Sequence, residues 1–289
     1  MRAEELKLGI YEKALPVDTD WKEKLAVAGR LGFQFVEISV DETDERLSRL
    51  DWSMDERLAF NRTVLESALT VPTMCLSGHR RFPLGSHDPE IRKKGLEIME
   101  KAISLAVDTG IRTIQLAGYD VYYEKSDHDT WNHYLENMEK CLAMAAREQV
   151  MLAVEIMDHP FMNSILKFTN LKQLLPSPWF TVYPDVGNLS AWNNDVAAEL
   201  TLGFNQCVAL HLKDTVAVTD DHPGTFKEVA FGSGCVDFPG VFATLKELGY
   251  TGPFLIEMWT GSGDDPESEI AAARKWILQK MREGGLLDG

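Results

Sequence analysis

The sequence predicts a (β/α)8 TIM barrel filling one domain over residues 1–289. Three observations carry that expectation. Eight short apolar runs are rich in β-branched and aromatic residues, helical periodicity fills the segments between them, and glycines stand where helices give way to strands. Repeated helix–Gly–strand junctions mean βα units, hence parallel strands buried on both faces. A doubly wound open sheet is the alternative. No Gly-x-Gly-x-x-Gly follows the first run, which weakens a dinucleotide-binding version of it.

Taken in order, KLGIYE (7–12) is the first strand. WKEKLAVAGRLG (21–32) then puts Trp21, Leu25, Ala28 and Leu31 on one stripe and stops at Gly32. FVEISV (35–40) and VPTMCL (71–76) are the second and third strands, and IRKKGLEIMEKAISLAVDTG (91–110) is a longer amphipathic helix ending at Gly110. TIQLAG (113–118) is the fourth strand, followed by a helix over 131–149. MLAVEIM (151–157), FTVYPDVG (180–187) and VALHLKD (208–214) are the fifth to seventh. A helix in FPGVFATLKELG (238–249) leads to the eighth, FLIEMW (254–259). No linker, low-complexity tract or internal repeat divides the chain.

Composition narrows the function classes. With 45% hydrophobic and 26% charged residues, 289 residues can bury a large core. A net charge of −16 and a pI of about 4.9 argue against a nucleic-acid partner, which needs a cationic surface, but admit a small phosphorylated ligand. Cys75, Cys141, Cys207 and Cys235 are scattered without a CxxC pair, as expected of reduced thiols in a cytoplasmic protein. The opening MRAEELKLGIYEKAL has no apolar signal core, and no apolar run approaches the ~20 residues that span a bilayer, so no membrane partner is expected.

Alternate residues of a barrel strand point inward, and chemistry collects at the strands' C-terminal ends. That parity brings Glu155 (in phase with Ala153), Asp185 (with Tyr183), His211 (with Ala209) and Glu257 (with Leu255) to one rim. Carboxylate, carboxylate, imidazole and carboxylate from four consecutive strands form a divalent-cation set, suited to one zinc or manganese ion. Three converging negative charges would repel strongly unless a cation sat among them. Singly, each has a bland reading: a surface Glu, a turn-shaping Asp, a hydrogen-bonded core His. The conjunction in matching phase favours the metal.

EIMD at 155, YPDVGNLSAW at 183, HLKD at 211 and GPFLIEMW at 252 resemble the L-ribulose-5-phosphate (L-xylulose-5-phosphate) 3-epimerases of the xylose-isomerase-like barrel superfamily. GIYEKALP, FVEISVDETDERLSRLDW, VPTMCLSGHRRFPLGS and IQLAGYDVYY extend the likeness over nearly the whole chain. The resemblance implies a metal held by Glu155, Asp185, His211 and Glu257. It also implies epimerisation at C3 of a ketopentose 5-phosphate, within L-ascorbate or related pentose breakdown. One position departs: Asn188 stands where free-ketose epimerases of the superfamily commonly carry His, which argues against a free hexulose.

Inverting a carbon beside a carbonyl takes a proton from one face and returns one to the other, through an enediolate that a Lewis-acidic ion stabilises. Glu155 and Glu257 flank the Asp185–His211 pair and are the expected acid/base pair. Lys213, Asn188, Trp259, Glu37 and Arg80 are the expected substrate contacts, with Glu12 a further candidate. FGSG (231–234) and TGSGDD (260–265) could cradle phosphate, and His79, Arg80 and Arg81 form a second basic cluster. The TDDHPGT stretch (219–225) has no assigned role, and a homodimer is expected. Rival readings are phosphodiester hydrolysis at abasic DNA, aldose–ketose isomerisation, and a non-catalytic sugar-phosphate-binding barrel.

Overall fold

The computed structural model describes residues 1–260 and 265–288. Its strands are β1 (Leu8–Tyr11), β2 (Phe35–Val40), β3 (Thr70–Leu76), β4 (Thr113–Leu116), β5 (Met151–Glu155), β6 (Phe180–Tyr183), β7 (Leu210–Leu212), β8 (Asp214–Thr219), β9 (His222–Val229) and β10 (Phe254–Ile256). Eight of them form one parallel sheet in the order β6-β5-β4-β3-β2-β1-β10-β7. Two parallel bridges, Val182–Cys207 and Asp185–His211, draw β6 against β7 and close the cylinder. The (β/α)8 expectation therefore holds, and the open doubly wound sheet does not.

All four helices read from the sequence are present, as Trp21–Arg30, Pro89–Thr109, His128–Glu148 and Phe238–Glu247. Their ends follow local chemistry. Asp88 caps the second by accepting the Glu90 N–H at 2.8 Å, Pro89 opens it, and Gly110 closes it with a φ of +76° that a Cβ would strain. The third starts earlier than its apolar stripe because Asp127 accepts the Asp129 and Thr130 N–H groups. No helix among the described residues is long and apolar enough to cross a membrane.

Apolar side chains pack mainly between sheet and helices, where Leu8, Ile10, Val36, Ile38, Leu152, Val154 and Leu210 are fully or almost fully buried. The cylinder's interior is a thinner core. Tyr11, Phe35, Cys75 and Leu255 form one cluster, and Ala153, Tyr183 and Ala209 another. Gly9 makes the first possible, since a Cβ there would lie 2.2 Å from the Phe35 ring. Above this floor the inward residues turn polar.

Two sequence expectations need correction. The run 208–214 is not one strand: β7 ends at Leu212, and Asp214 begins an antiparallel hairpin, β8–β9, outside the barrel. TDDHPGT lies at the tip of that hairpin. The eighth strand likewise stops at Ile256, so Glu257 and Trp259 stand just beyond its last ladder pair.

Candidate active site and metal centre

Strand parity brings Glu155, Asp185, His211 and Glu257 together as expected. Each offers one donor atom, and the four atoms lie within 4.8 Å of one another. His211 Nδ1 faces the three carboxylates, 3.0 Å from Glu155 Oε1, 3.6 Å from Glu257 Oε2 and 3.8 Å from Asp185 Oδ2. Four tetrahedral donors at about 2.0–2.2 Å from one zinc stand about 3.3–3.6 Å apart, so the set is near that spacing and its widest pairs close by about 1 Å around an ion. Asp185 Oδ2 and Glu257 Oε2 are buried and face the Lys213 ammonium, which stands in part of the place a cation would take.

The rest of three of these side chains is tied down. Asp185 follows β6 and caps the helix Val186–Ala191, its Oδ1 accepting the Asn188 N–H at 2.7 Å. His211 turns Nε2 to Glu37 Oε1 at 3.1 Å, and Glu155 Oε2 accepts from Gln115 Nε2. A carboxylate behind the far nitrogen is the usual way to fix the tautomer of a metal-binding histidine.

Charge makes the cluster strongly coupled. Burial pushes the Asp185 carboxyl up to about 8, with Glu257 and Glu155 adding to the rise and Lys213 opposing it. Burial likewise raises Glu155. It would raise Glu257 too, but the Lys213 ammonium and His211 outweigh it and hold that group down at about 2. Burial would lower His211, and the Glu37, Glu155 and Glu257 carboxylates reverse that, leaving the imidazole well above its ordinary range. The chain's own cations thus leave two of the three carboxylates resisting ionisation, a deficit that a divalent ion would remove.

Among the expected substrate contacts, Lys213, Trp259 and Arg80 line the cavity over the cluster, together with Glu155 and Glu257. Lys213 Nζ stands 3.1 Å from Asp185 Oδ2 and 2.8 Å from Glu257 Oε2. Trp259 is half-buried, edge-on to Tyr11 at 6.0 Å. Arg80 lies over the Tyr122 ring, 4.8 Å from its centroid, and its buried Nε has no partner.

Two others sit behind the cluster instead. Glu37 is fully buried against His211, and Asn188 gives its side-chain N–H to Ile156 O at 2.8 Å. Glu12 is likewise committed, forking onto Arg49 at 2.6 and 2.7 Å and meeting Arg46 at 2.9 Å. Glu12 does not line the cavity.

The expected phosphate loops fare differently. In FGSG the Gly232 and Gly234 N–H groups already donate to Asp214 Oδ2, at 2.8 and 3.0 Å, so a carboxylate fills that nest. Of TGSGDD, residues 261–264 lie outside the described residues. His79 is no cation: burial brings its pKa to about 4, and Nε2 meets Gly95 O at 3.0 Å. Arg81 pairs outward with Asp44.

Sequence reasoning missed Lys13, Ser77, Asp158, Phe226 and Lys227 in the cavity wall, and Gln115 beneath it. Lys227, on β9, reaches in from the hairpin that was not foreseen. Gln115 was findable by the same parity rule, being in phase with the inward Thr113 of β4.

The chain matches the family model described as xylose isomerase-like TIM barrel over residues 25–280. It is 54% identical to L-ribulose-5-phosphate 3-epimerase UlaE of Shigella boydii, over 100% of this chain and 99% of that one. The enzyme of the same name from Escherichia coli O157:H7 gives the same identity and coverage. Among solved structures, an L-ribulose 3-epimerase superposes with a TM-score of 0.78 at 17% identity, over 96% of this chain and 95% of that one, a likeness of fold. On these matches the chain is an isomerase-class enzyme and belongs to the L-ribulose-5-phosphate 3-epimerase family of xylose isomerase-like TIM barrels.

Proposed function

We propose that this enzyme interconverts L-xylulose 5-phosphate and L-ribulose 5-phosphate by proton transfer at C3. One divalent cation, zinc or manganese, is held by Glu155, Asp185, His211 and Glu257. The observation that carries the reading is the convergence of those four donors, two of which, Glu155 and Glu257, line a cavity that also presents cations. The activity named for the relatives, L-ribulose-5-phosphate 3-epimerase, supports the substrate. Bound there, the ion would polarise the ketose carbonyl as a Lewis acid.

The chain's own residues handle the proton. Glu155 from β5 and Glu257 beyond β10 stand on either side of the Asp185–His211 pair, so a substrate over the cluster has a carboxylate at each flank. One takes the C3 proton and the other returns its own to the opposite face. Lys213 and Trp259 orient the sugar. Arg80, with Lys13 and Lys227, holds the phosphate; burial and neighbouring Arg80 lower the Lys227 pKa, as expected where cations gather to meet an anion. The Phe226–Lys227 stretch of β9 forms one wall of this cavity.

Heavy water tests the reaction. Metal-loaded protein should place deuterium at C3 of L-xylulose 5-phosphate as the epimer forms. Deuterium at C1 would identify an aldose–ketose isomerase, and no exchange would leave only a binding protein. Arg80→Ala should raise KM for the phosphorylated ketose about 10- to 100-fold, the worth of one charged hydrogen bond, with kcat less affected. An unchanged KM would place the phosphate elsewhere. Glu37→Gln should weaken zinc or manganese binding about 10- to 100-fold in calorimetric titration. Undiminished affinity would deny Glu37 its hold on His211.

A further inference from the structure

Gln115 occupies the middle of β4, fully buried, level with Cys75 on β3 and Ala153 on β5. Barrel interiors are usually filled at this depth by branched aliphatics, and a buried polar group short of partners costs about 1–3 kcal/mol. Its Nε2 donates to Glu155 Oε2, while its Oε1 is buried with no partner at all. The carboxamide therefore does little to knit the barrel together. What it touches is Glu155.

The other glutamate of the proposed pair is held differently. Lys213 Nζ, 2.8 Å from Glu257 Oε2, can only donate, and it favours the charged carboxylate. A carboxamide is neutral and two-sided. Its NH2 donates to a carboxylate, and after turning over, its carbonyl accepts from a carboxylic acid. We infer that Gln115 is a positioning residue for Glu155: through its contact with Glu155 Oε2 it fixes that carboxyl group toward the substrate. The inference rests on the two-base reading above. In the step concerned, the C3–H bond breaks as an O–H bond forms on one glutamate. The electron pair enters the C2–C3 bond and the carbonyl electrons move to oxygen. The other glutamate then gives its proton to the opposite face of C3, and the carbonyl re-forms.

Gln115→Met removes donor and acceptor at similar volume. In a two-base enzyme each epimer yields its C3 hydrogen to a different glutamate, so exchange into heavy water is followed by NMR from each epimer separately. The expected result is asymmetric. Exchange from one epimer persists without inversion near the wild-type rate, while exchange from the other falls about 10- to 100-fold. Titration with Mn2+ alone should also show affinity reduced about tenfold, because Glu155 is a donor to the ion. Both results are required. Equal losses from the two epimers, no loss, or unaltered Mn2+ affinity would each overturn the inference while leaving the epimerase reading intact. Wild-type protein that exchanges neither epimer would overturn both. Should Gln115→Met not fold, Gln115→Asn provides the same comparison, and failure of both to fold would make Gln115 a packing residue and sink the idea.

Discussion

Glu257→Gln should keep the barrel and lose at least about a thousandfold in turnover. The substitution preserves shape and removes a charge, so the packing around Leu255 and Trp259 changes little. Function has more at stake. General acid–base catalysis by one positioned group contributes about 10^2- to 10^4-fold, and an amide is no base. Lys213 would also lose one of its two carboxylate partners, keeping Asp185 at 3.1 Å. Circular dichroism melting of the two proteins stripped of metal separates the two effects: a cooperative transition near that of the stripped wild type, with turnover gone even at saturating metal, is the expected outcome. Turnover within tenfold of wild type would exclude Glu257 as a proton carrier.

Chelation is the second large effect. A cation that binds only the folded protein stabilises it by about 4 kcal/mol at a thousand times its Kd. In a chain of this size each kcal/mol moves Tm by roughly 2–4 °C. Stripping the ion should therefore abolish activity and lower Tm by about 10 °C, and added zinc or manganese should restore both. The sign follows from the cluster: three carboxylates buried around one imidazole repel each other, and Lys213 relieves only part of that. In Asp185→Asn the Tm response to metal should shrink or vanish. Chelated protein with full activity and an unmoved Tm would remove the ion from the mechanism.

Much of this was legible in the sequence because a barrel strand's alternation is rigid. Once MLAVEIM, FTVYPDVG, VALHLKD and FLIEMW were strands, period two fixed which side chains faced inward, and the four donors followed. Lys213 was placed by the same rule. Pairing between distant residues was not legible. That Glu37 would turn to His211, 174 positions away, or Glu12 to Arg49 across β2, depends on neighbours that no local period reveals. FGSG looked like an anion nest and is one, but Asp214 occupies it from within the chain. The β8–β9 hairpin escaped notice because its residues are largely exposed and carry no one-sided apolar alternation. Its Lys227 and Phe226 therefore escaped with it. Asn188 was read as a substrate contact from the family resemblance; the structure gives its backbone N–H to Asp185 Oδ1 and its side-chain N–H to Ile156 O, pairings no local period reveals.

Anomalous diffraction from crystals of active enzyme, with data on either side of the zinc and manganese absorption edges, would settle whether one ion joins these residues. A single peak within about 2.0–2.3 Å of Glu155, Asp185, His211 and Glu257 is the expected result. Active enzyme with no peak between those four side chains, or with its ion bound elsewhere, would contradict it.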